Sequence, residues 1–414
     1  MLFDLIDQYR GLPKQVYIIL IARTVAAMGA FVYSFVTMLL STRLGLSDQT
    51  VSYFLFGLSL SYMPAAVIGG KLADKFNRKH VYIICLLITD TSFFIGGFYC
   101  NTIAIVGFIM VGYFCMNMAN PVMSAMMMDI TNPKNRQESM SLCYLGLNLG
   151  IAIGPLIAGF LFEKYTSWIF WGQALINLVA MLILGFGIKD QKPSAKDLSE
   201  LEADAERSLE RGSNASLFAE LKKRPVILMF ALFGIGYTFS YAQISYVMPL
   251  HLADSFGSAV GSKYVGMISS INGLSVFALT PLMVLLFKKN HSLKNIAMAG
   301  VWYGVGFGLY SVAPNIATIL ALVVVWSTGE VMCSANCGVF IANNAPATHR
   351  ARFQSIYDIM QGLGRATGPI IMGVFLTGHS FRAAWVLVFF VCMASAAGNY
   401  LLYRYCVRTE RRSS

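Results

Sequence analysis

Charge is scarce in this sequence. Asp, Glu, Lys and Arg make up only 12% of its 414 residues, about half of what a soluble domain carries. Acids are scarcer than bases, 20 against 31, leaving a net charge of +11. There is no phosphate-binding loop, dinucleotide fingerprint, zinc-binding helix or nucleophile elbow. The chain is therefore not expected to be an enzyme or to draw directly on ATP, and no cofactor or metal is implied. The N-terminus, MLFDLIDQYRGLPKQ, lacks the basic start, apolar core and small-residue cleavage site of a signal peptide. The first apolar run is expected to act as the targeting signal itself. A disulfide framework is also missing. The eight cysteines fall almost entirely within apolar stretches, where they act as small packing residues. Cys333 and Cys337 have helical i,i+4 spacing, which a soft metal could use, but no second ligand pair accompanies them.

Long apolar runs make up most of the chain, 57% of which is hydrophobic. A helix needs about 20 residues to cross the hydrocarbon core. Six runs have that length, two longer ones must turn back, at Cys100-Asn101 and at Ala313-Pro314-Asn315, and the apolar stretches 226–250 and 353–376 add two more. The resulting expectation is an all-α polytopic membrane protein with twelve spans: 17–39, 50–70, 80–99, 103–128, 139–162, 168–188, 226–250, 264–287, 295–312, 315–343, 353–376 and 383–404. Placing both termini in the cytoplasm puts most Lys and Arg on the cytoplasmic side, as the positive-inside rule requires of an inner or plasma membrane protein. The positive charge is thus explained by topology, and nucleic acid is not an expected partner. The lipid bilayer is, with the chain acting as a monomer.

One long polar segment interrupts the spans. It contains KDLSELEADAERSLERG, whose mixed charges at helical spacing suggest a solvated helix. It separates a six-span bundle at 1–188 from another at 226–414, with a cytoplasmic linker at 189–225. The two bundles share a sequence pattern. Gly150 to Gly159 read GIAIGPLIAG, and Gly364 to Gly373 read GRATGPIIMG. At the same constant spacing Arg136, Ser141 and Trp171 recur as Arg350, Ser355 and Trp385. A duplicated, pseudo-symmetric bundle is the architecture of a secondary transporter.

The loop after the second span reads Gly69-Gly-Lys-Leu-Ala-Asp-Lys-Phe-Asn-Arg-Lys79. It resembles the signature loop of the major facilitator superfamily through Gly70, Leu72, Ala73, Asp74, Arg78 and Lys79. Asn77 replaces a later glycine and could adopt the same left-handed turn. The resemblance implies that Asp74, Arg78 and Asp129 hold a cytoplasmic gate closed. Independently of the family, an acid at a membrane boundary needs a cationic or helix-end partner. The fifth-span pattern of Gly150, Gly154, Pro155, Ala158 and Gly159 resembles the motif of the family's antiporters. Its small residues let helices approach closely.

Intramembrane acids are costly and are candidate functional groups. Asp90, Glu330 and Asp358 lie well inside the expected spans. Glu330 shares one helix face with Trp326, Ser327, Ser334 and Cys337. Burial penalises the charged form of a carboxyl, which suits reversible protonation. Glu330 and Asp358 are the proton-coupling candidates; Asp90, on a span peripheral in the family, ranks below them. The resemblance implies that spans one, four, seven and ten line a central cavity. Arg23, Asn117, Asn120, Tyr237, Gln243, Tyr246 and Ser334 are its polar candidates, with Ser34 and Ser124. Met126, Met127, Met128, Phe239 and Tyr241 would supply an adaptable apolar lining. The chain resembles the drug:proton antiporter branch. That implies proton-coupled efflux of amphipathic small molecules by alternating access. Export or flipping of a lipid or organic anion, proton-coupled nutrient uptake and a non-transporting membrane sensor are the alternatives.

Overall fold

A helix satisfies every backbone N–H and C=O within its own segment, so apolar chain in lipid folds as helices. The computed structural model describes residues 10–131, 135–188, 225–287, 290–344 and 350–413; among these the regular structure is helical, without strands. The first half carries α1 Lys14–Met28, α2 Phe31–Met38, α3 Asp48–Lys75, α4 Arg78–Phe98, α5 Ile105–Ile130, α6 Arg136–Leu161 and α7 Thr166–Gly187. The second half carries α8 Pro225–Ala242, α9 Val247–Phe256, α10 Ser258–Phe287, α11 Ser292–Gly308, α12 Ile316–Asn344, α13 Arg350–Leu376 and α14 Phe381–Ser413. Among the described residues, eleven segments are long and apolar enough to cross a membrane. The expected span 295–312 is α11, a helix of 17 residues continued by the 3-10 turn Leu309–Ser311. The mixed-charge helix expected in the linker lies outside the described residues.

Two expected spans are not continuous. The first stops at Met28 and restarts at Phe31, then ends in a π-helical turn, Leu39–Arg43. Glycine at position 29 weakens the helix there. The freed Val32 N–H donates to Gln173 Oε1 on α7, 2.8 Å away and buried. The seventh expected span stops at Ala242 and restarts at Val247. Its turn is closed by Met248 N–H on the Gln243 carbonyl, at 2.9 Å. Met28 and Ala242 are related by the same spacing that relates the two glycine motifs, so the repeat extends to the backbone breaks.

Helix pairings repeat as well. In the first half α1 packs on α6 and α7, and α4 on α5 and α7; in the second α8 packs on α13 and α14, and α11 on α12 and α14. The compact units follow a different division from the sequence boundaries. One takes Met1–Ser194 with Pro249–Leu274, the other Ala195–Met248 with Ser275–Ser414. The helix start at Asn77 also departs from expectation. Asn77 has φ −62° and caps α4, its side chain accepting the His80 N–H. A residue that begins a helix needs a side-chain acceptor for the orphan N–H groups, and asparagine supplies it without a left-handed turn.

Candidate functional site

Glu330 lies midway along α12 and is partly buried. Tyr241, near the end of α8, donates its hydroxyl to Glu330 Oε1 at 3.1 Å. Trp326, one turn earlier on α12, meets the Tyr241 ring edge-on with centroids 6.0 Å apart. The indole N–H of Trp326 is in turn held by Tyr310 Oη at 2.8 Å. The carboxyl, its donor and the donor's aromatic support are therefore fixed as one group within the second unit. Tyr241→Phe removes a hydrogen bond to a charged group, about 1.5–3 kcal/mol. Driven transport by the variant is expected to fall by about tenfold or more. Initial rates of driven transport measured beside counterflow check this; an unchanged driven rate separates Tyr241 from Glu330 chemistry.

The other polar candidates are distributed unevenly. Tyr237 is buried, and its hydroxyl donates to the Ile296 carbonyl at 3.1 Å and accepts from Asn399. It ties α8 to α11 and α14. Gln243 and Tyr246 are buried beside the α8 break, and Gln243 donates to the Phe239 carbonyl. Ser334 is exposed and donates to the Val331 carbonyl, while Trp326 and Ser327 on the same expected face are buried. Arg23 and Asn117 are partly buried and Asn120 is exposed, in the first unit. Asp358 and Arg365 are both exposed on α13. Asp90 is 8% exposed and accepts from Asn177 Nδ2 at 3.1 Å; its second oxygen has no hydrogen-bond partner. Of the methionines expected in the lining, Met126 and Met127 sit in the core of the first unit with Val16, Ile19 and Val122, and the Met128 side chain lies outside the described residues. Phe239 and Tyr246 are equally buried. A membrane helix is apolar on every side, so its sequence does not mark which face is packed.

The glycine motifs are close helix contacts. A Cβ on Gly150 would overlap the Thr24 carbonyl and Ala27; on Gly154 it would overlap the Met28 carbonyl oxygen. Both positions face the end of α1, at the break. Gly364 meets Thr238 and Ile235 in the same way, and Gly368 meets Ala242, Gln243 and Phe239 at 3.0–3.2 Å, at the break of α8. Gly159 faces a different partner. Its Cβ would come 2.7 Å from the Ser262 carbonyl oxygen of α10, and Ser262 Oγ donates to the Gly159 carbonyl at 3.2 Å. Pro155 stands inside a continuous α6, and its carbonyl lies against Gly266 of α10.

Arg78 at the start of α4 forms an ion pair and hydrogen bond with Asp129 in the last turn of α5, which is partly buried. The side chain of Asp74 lies outside the described residues. Asp129 follows the span Ile105–Ser124. Burial pushes its carboxyl up from the usual range, and Arg78 pulls it back only in part. Acidification therefore neutralises Asp129 earlier than an ordinary aspartate and releases Arg78. Asp129→Asn breaks the pair from one side. The cost falls between the ~0–1 kcal/mol of an exposed pair and the ~3–5 kcal/mol of a buried one. Labelling of a cysteine placed beside Arg78 is expected to rise severalfold; unchanged labelling with normal transport would leave the pair without a gating role.

Sequence reasoning missed the cluster at the Leu161 end of α6. Arg43 hydrogen-bonds the Phe162 and Glu163 carbonyls and lies 3.5 Å from the Glu163 carboxylate. Ser258, which opens α10, donates to Glu163 Oε2 at 2.8 Å. Arg43 and Glu163 are far apart in sequence, and neither stands in a motif.

Paired helical halves with matching breaks define a polytopic secondary transporter. The Major Facilitator Superfamily profile matches residues 19–302 and 238–414. The chain belongs to the Major Facilitator Superfamily. It is 23% identical over 314 residues to the uncharacterized MFS-type transporter YqjV of Bacillus subtilis, covering 75% of this chain and 73% of that one. It is 22% identical to a Na(+), Li(+), K(+)/H(+) antiporter of Planococcus maritimus, over 84% of this chain and 85% of the other. Multidrug resistance protein 1 of Bacillus subtilis is 28% identical over 36% of this chain and 38% of its own. Among solved structures, a peptide transporter POT bound to sulfate superposes with TM-score 0.74 at 15% identity, covering 97% and 96% of the two chains.

Proposed function

We propose that this transporter expels amphipathic small molecules in exchange for protons, with Glu330 as the proton-carrying group. The observation that carries the reading is the hydrogen bond from Tyr241 to Glu330, a carboxyl midway along α12 inside the bundle. A carboxyl there exchanges a proton, and an amphipathic cation competes with the proton for it. Asp358 is the second proton-coupling candidate. The Arg78–Asp129 pair acts as the gate on the cytoplasmic side, where the termini also lie. The glycine contacts of α6 allow the packed conformations between which access alternates. The similarity to multidrug resistance protein 1 supports the amphipathic substrate class. Proton release reports on the reading directly. In weakly buffered detergent solution, tetraphenylphosphonium binding is expected to release protons from the wild type, and none from Glu330→Gln. Binding without proton release would remove the coupling.

A second reading is exchange of alkali cations for protons at the same carboxyl. It is favoured by the Planococcus maritimus antiporter, which aligns over most of this chain. Sodium or potassium that releases the proton while tetraphenylphosphonium does not bind would select it.

A further inference from the structure

Cys333 and Cys337 have no part in proton exchange, yet they follow Glu330 on α12 by about one and two turns. Their sulfurs are 3.4 Å apart, with one thiol donating to the other. Cys337 is 6% exposed; Cys333 is partly exposed, beside the exposed Ser334. Both are free thiols.

Sulfurs this close usually prepare a disulfide, but the helix resists one. Residues four apart on a helix hold their Cβ atoms about 5–6 Å apart, whereas a disulfide needs about 3.5–4.5 Å. Closing the bond would pull α12 out of its hydrogen-bond ladder. The thiols therefore converge without joining, which is the geometry of a bite for a third atom. Hard cations require several oxygen ligands, and structural zinc requires four N or S ligands. Among the described residues no group of three or more His, Cys, Asp or Glu is placed to hold a metal ion. What two sulfurs can complete is a pyramidal soft centre that already carries one carbon substituent. Trivalent arsenic has bond angles close to a right angle, so a chelating pair of sulfurs sits almost in contact, as here.

We propose that Cys333 and Cys337 form a dithiol site for monosubstituted trivalent arsenicals. The reaction is a condensation. An arsonous acid, R–As(OH)2, loses both hydroxyls as water with the two thiol protons. Two S–H and two As–O bonds break, two As–S bonds form, and arsenic stays trivalent. Reagent and product are uncharged, so no thiolate has to persist in the low-dielectric bundle. The site does not depend on proton coupling at Glu330.

Phenylarsine oxide, which hydrates to such an acid, is the probe. Purified full-length protein is treated with it, washed with excess 2-mercaptoethanol and weighed by intact mass spectrometry. The wild type is expected to keep one adduct that Cys333→Ala and Cys337→Ala each lose completely and Cys406→Ala retains. 2,3-Dimercaptopropanol should remove it. Protection of both thiols from N-ethylmaleimide, mapped on wild-type peptides, gives the same answer without any variant. Equal adduct counts in wild type and both variants, removal by the monothiol, or unprotected Cys333 and Cys337 would each overturn the proposal.

Discussion

Glu330→Gln is expected to reduce pH-gradient-driven transport to background while leaving substrate counterflow intact. The amide keeps the size and can still accept from Tyr241, whose hydroxyl lies 3.1 Å from the carboxylate. What it loses is the exchangeable proton. Counterflow moves one substrate molecule against another with no net proton movement, so it needs binding and alternation but not titration. The two assays together separate a coupling defect from misfolding, which abolishes both. Driven transport with wild-type pH dependence in the variant would move the assignment to Asp358, which lies exposed on α13.

Gly154→Val is expected to bind substrate and fail to turn over, and Gly368→Val to be affected less. At Gly154 the added carbon meets the Met28 carbonyl oxygen, a backbone atom at the end of α1 that cannot rotate away. At Gly368 the nearest atoms are the Ala242 methyl and the Gln243 side-chain amide, each 3.0 Å away. No contact there is closer than 3.0 Å, so the neighbours need to give by only a few tenths of an ångström. Overpacking costs about 1–3 kcal/mol, which is up to about a hundredfold in a conformational equilibrium. The difference between the variants thus follows from how closely each position is approached, although the two motifs read almost alike. Turnover measured beside binding for both decides it. Wild-type turnover in both would reduce the glycines to ordinary helix packing.

The positions of the helices were legible because the hydrocarbon core leaves one conformation to long apolar runs. Their interruptions were not equally so. Gly29 marks the first break in the sequence, but the turn at Gln243–Tyr246 contains neither glycine nor proline and carries no local signal. Its cue is the repeat itself, since it stands where the first break stands. Asn77 was readable as a helix cap once Arg78 was taken as the helix start. Glu330 was found from its cost in lipid. Tyr241 was named only for the apolar lining; its pairing with Glu330 was not legible, because the contact joins residues 89 apart and depends on how α8 meets α12. The same holds for Arg43 with Glu163. Met126 and Met127 were misplaced for another reason: in lipid a packed face and an exposed face have the same composition.

The central claim is exchange of substrate for protons, and transport in proteoliposomes under an imposed pH gradient tests it most directly. With protein reconstituted and the lumen acidic, tetraphenylphosphonium is expected to accumulate inside while a luminal pH dye reports alkalinisation in step with its uptake. Membrane potential is clamped with potassium and valinomycin so that the gradient alone drives movement. Glu330→Gln liposomes should show neither signal above protein-free vesicles. Accumulation without luminal alkalinisation, or equal signals from wild type and variant, would contradict the account.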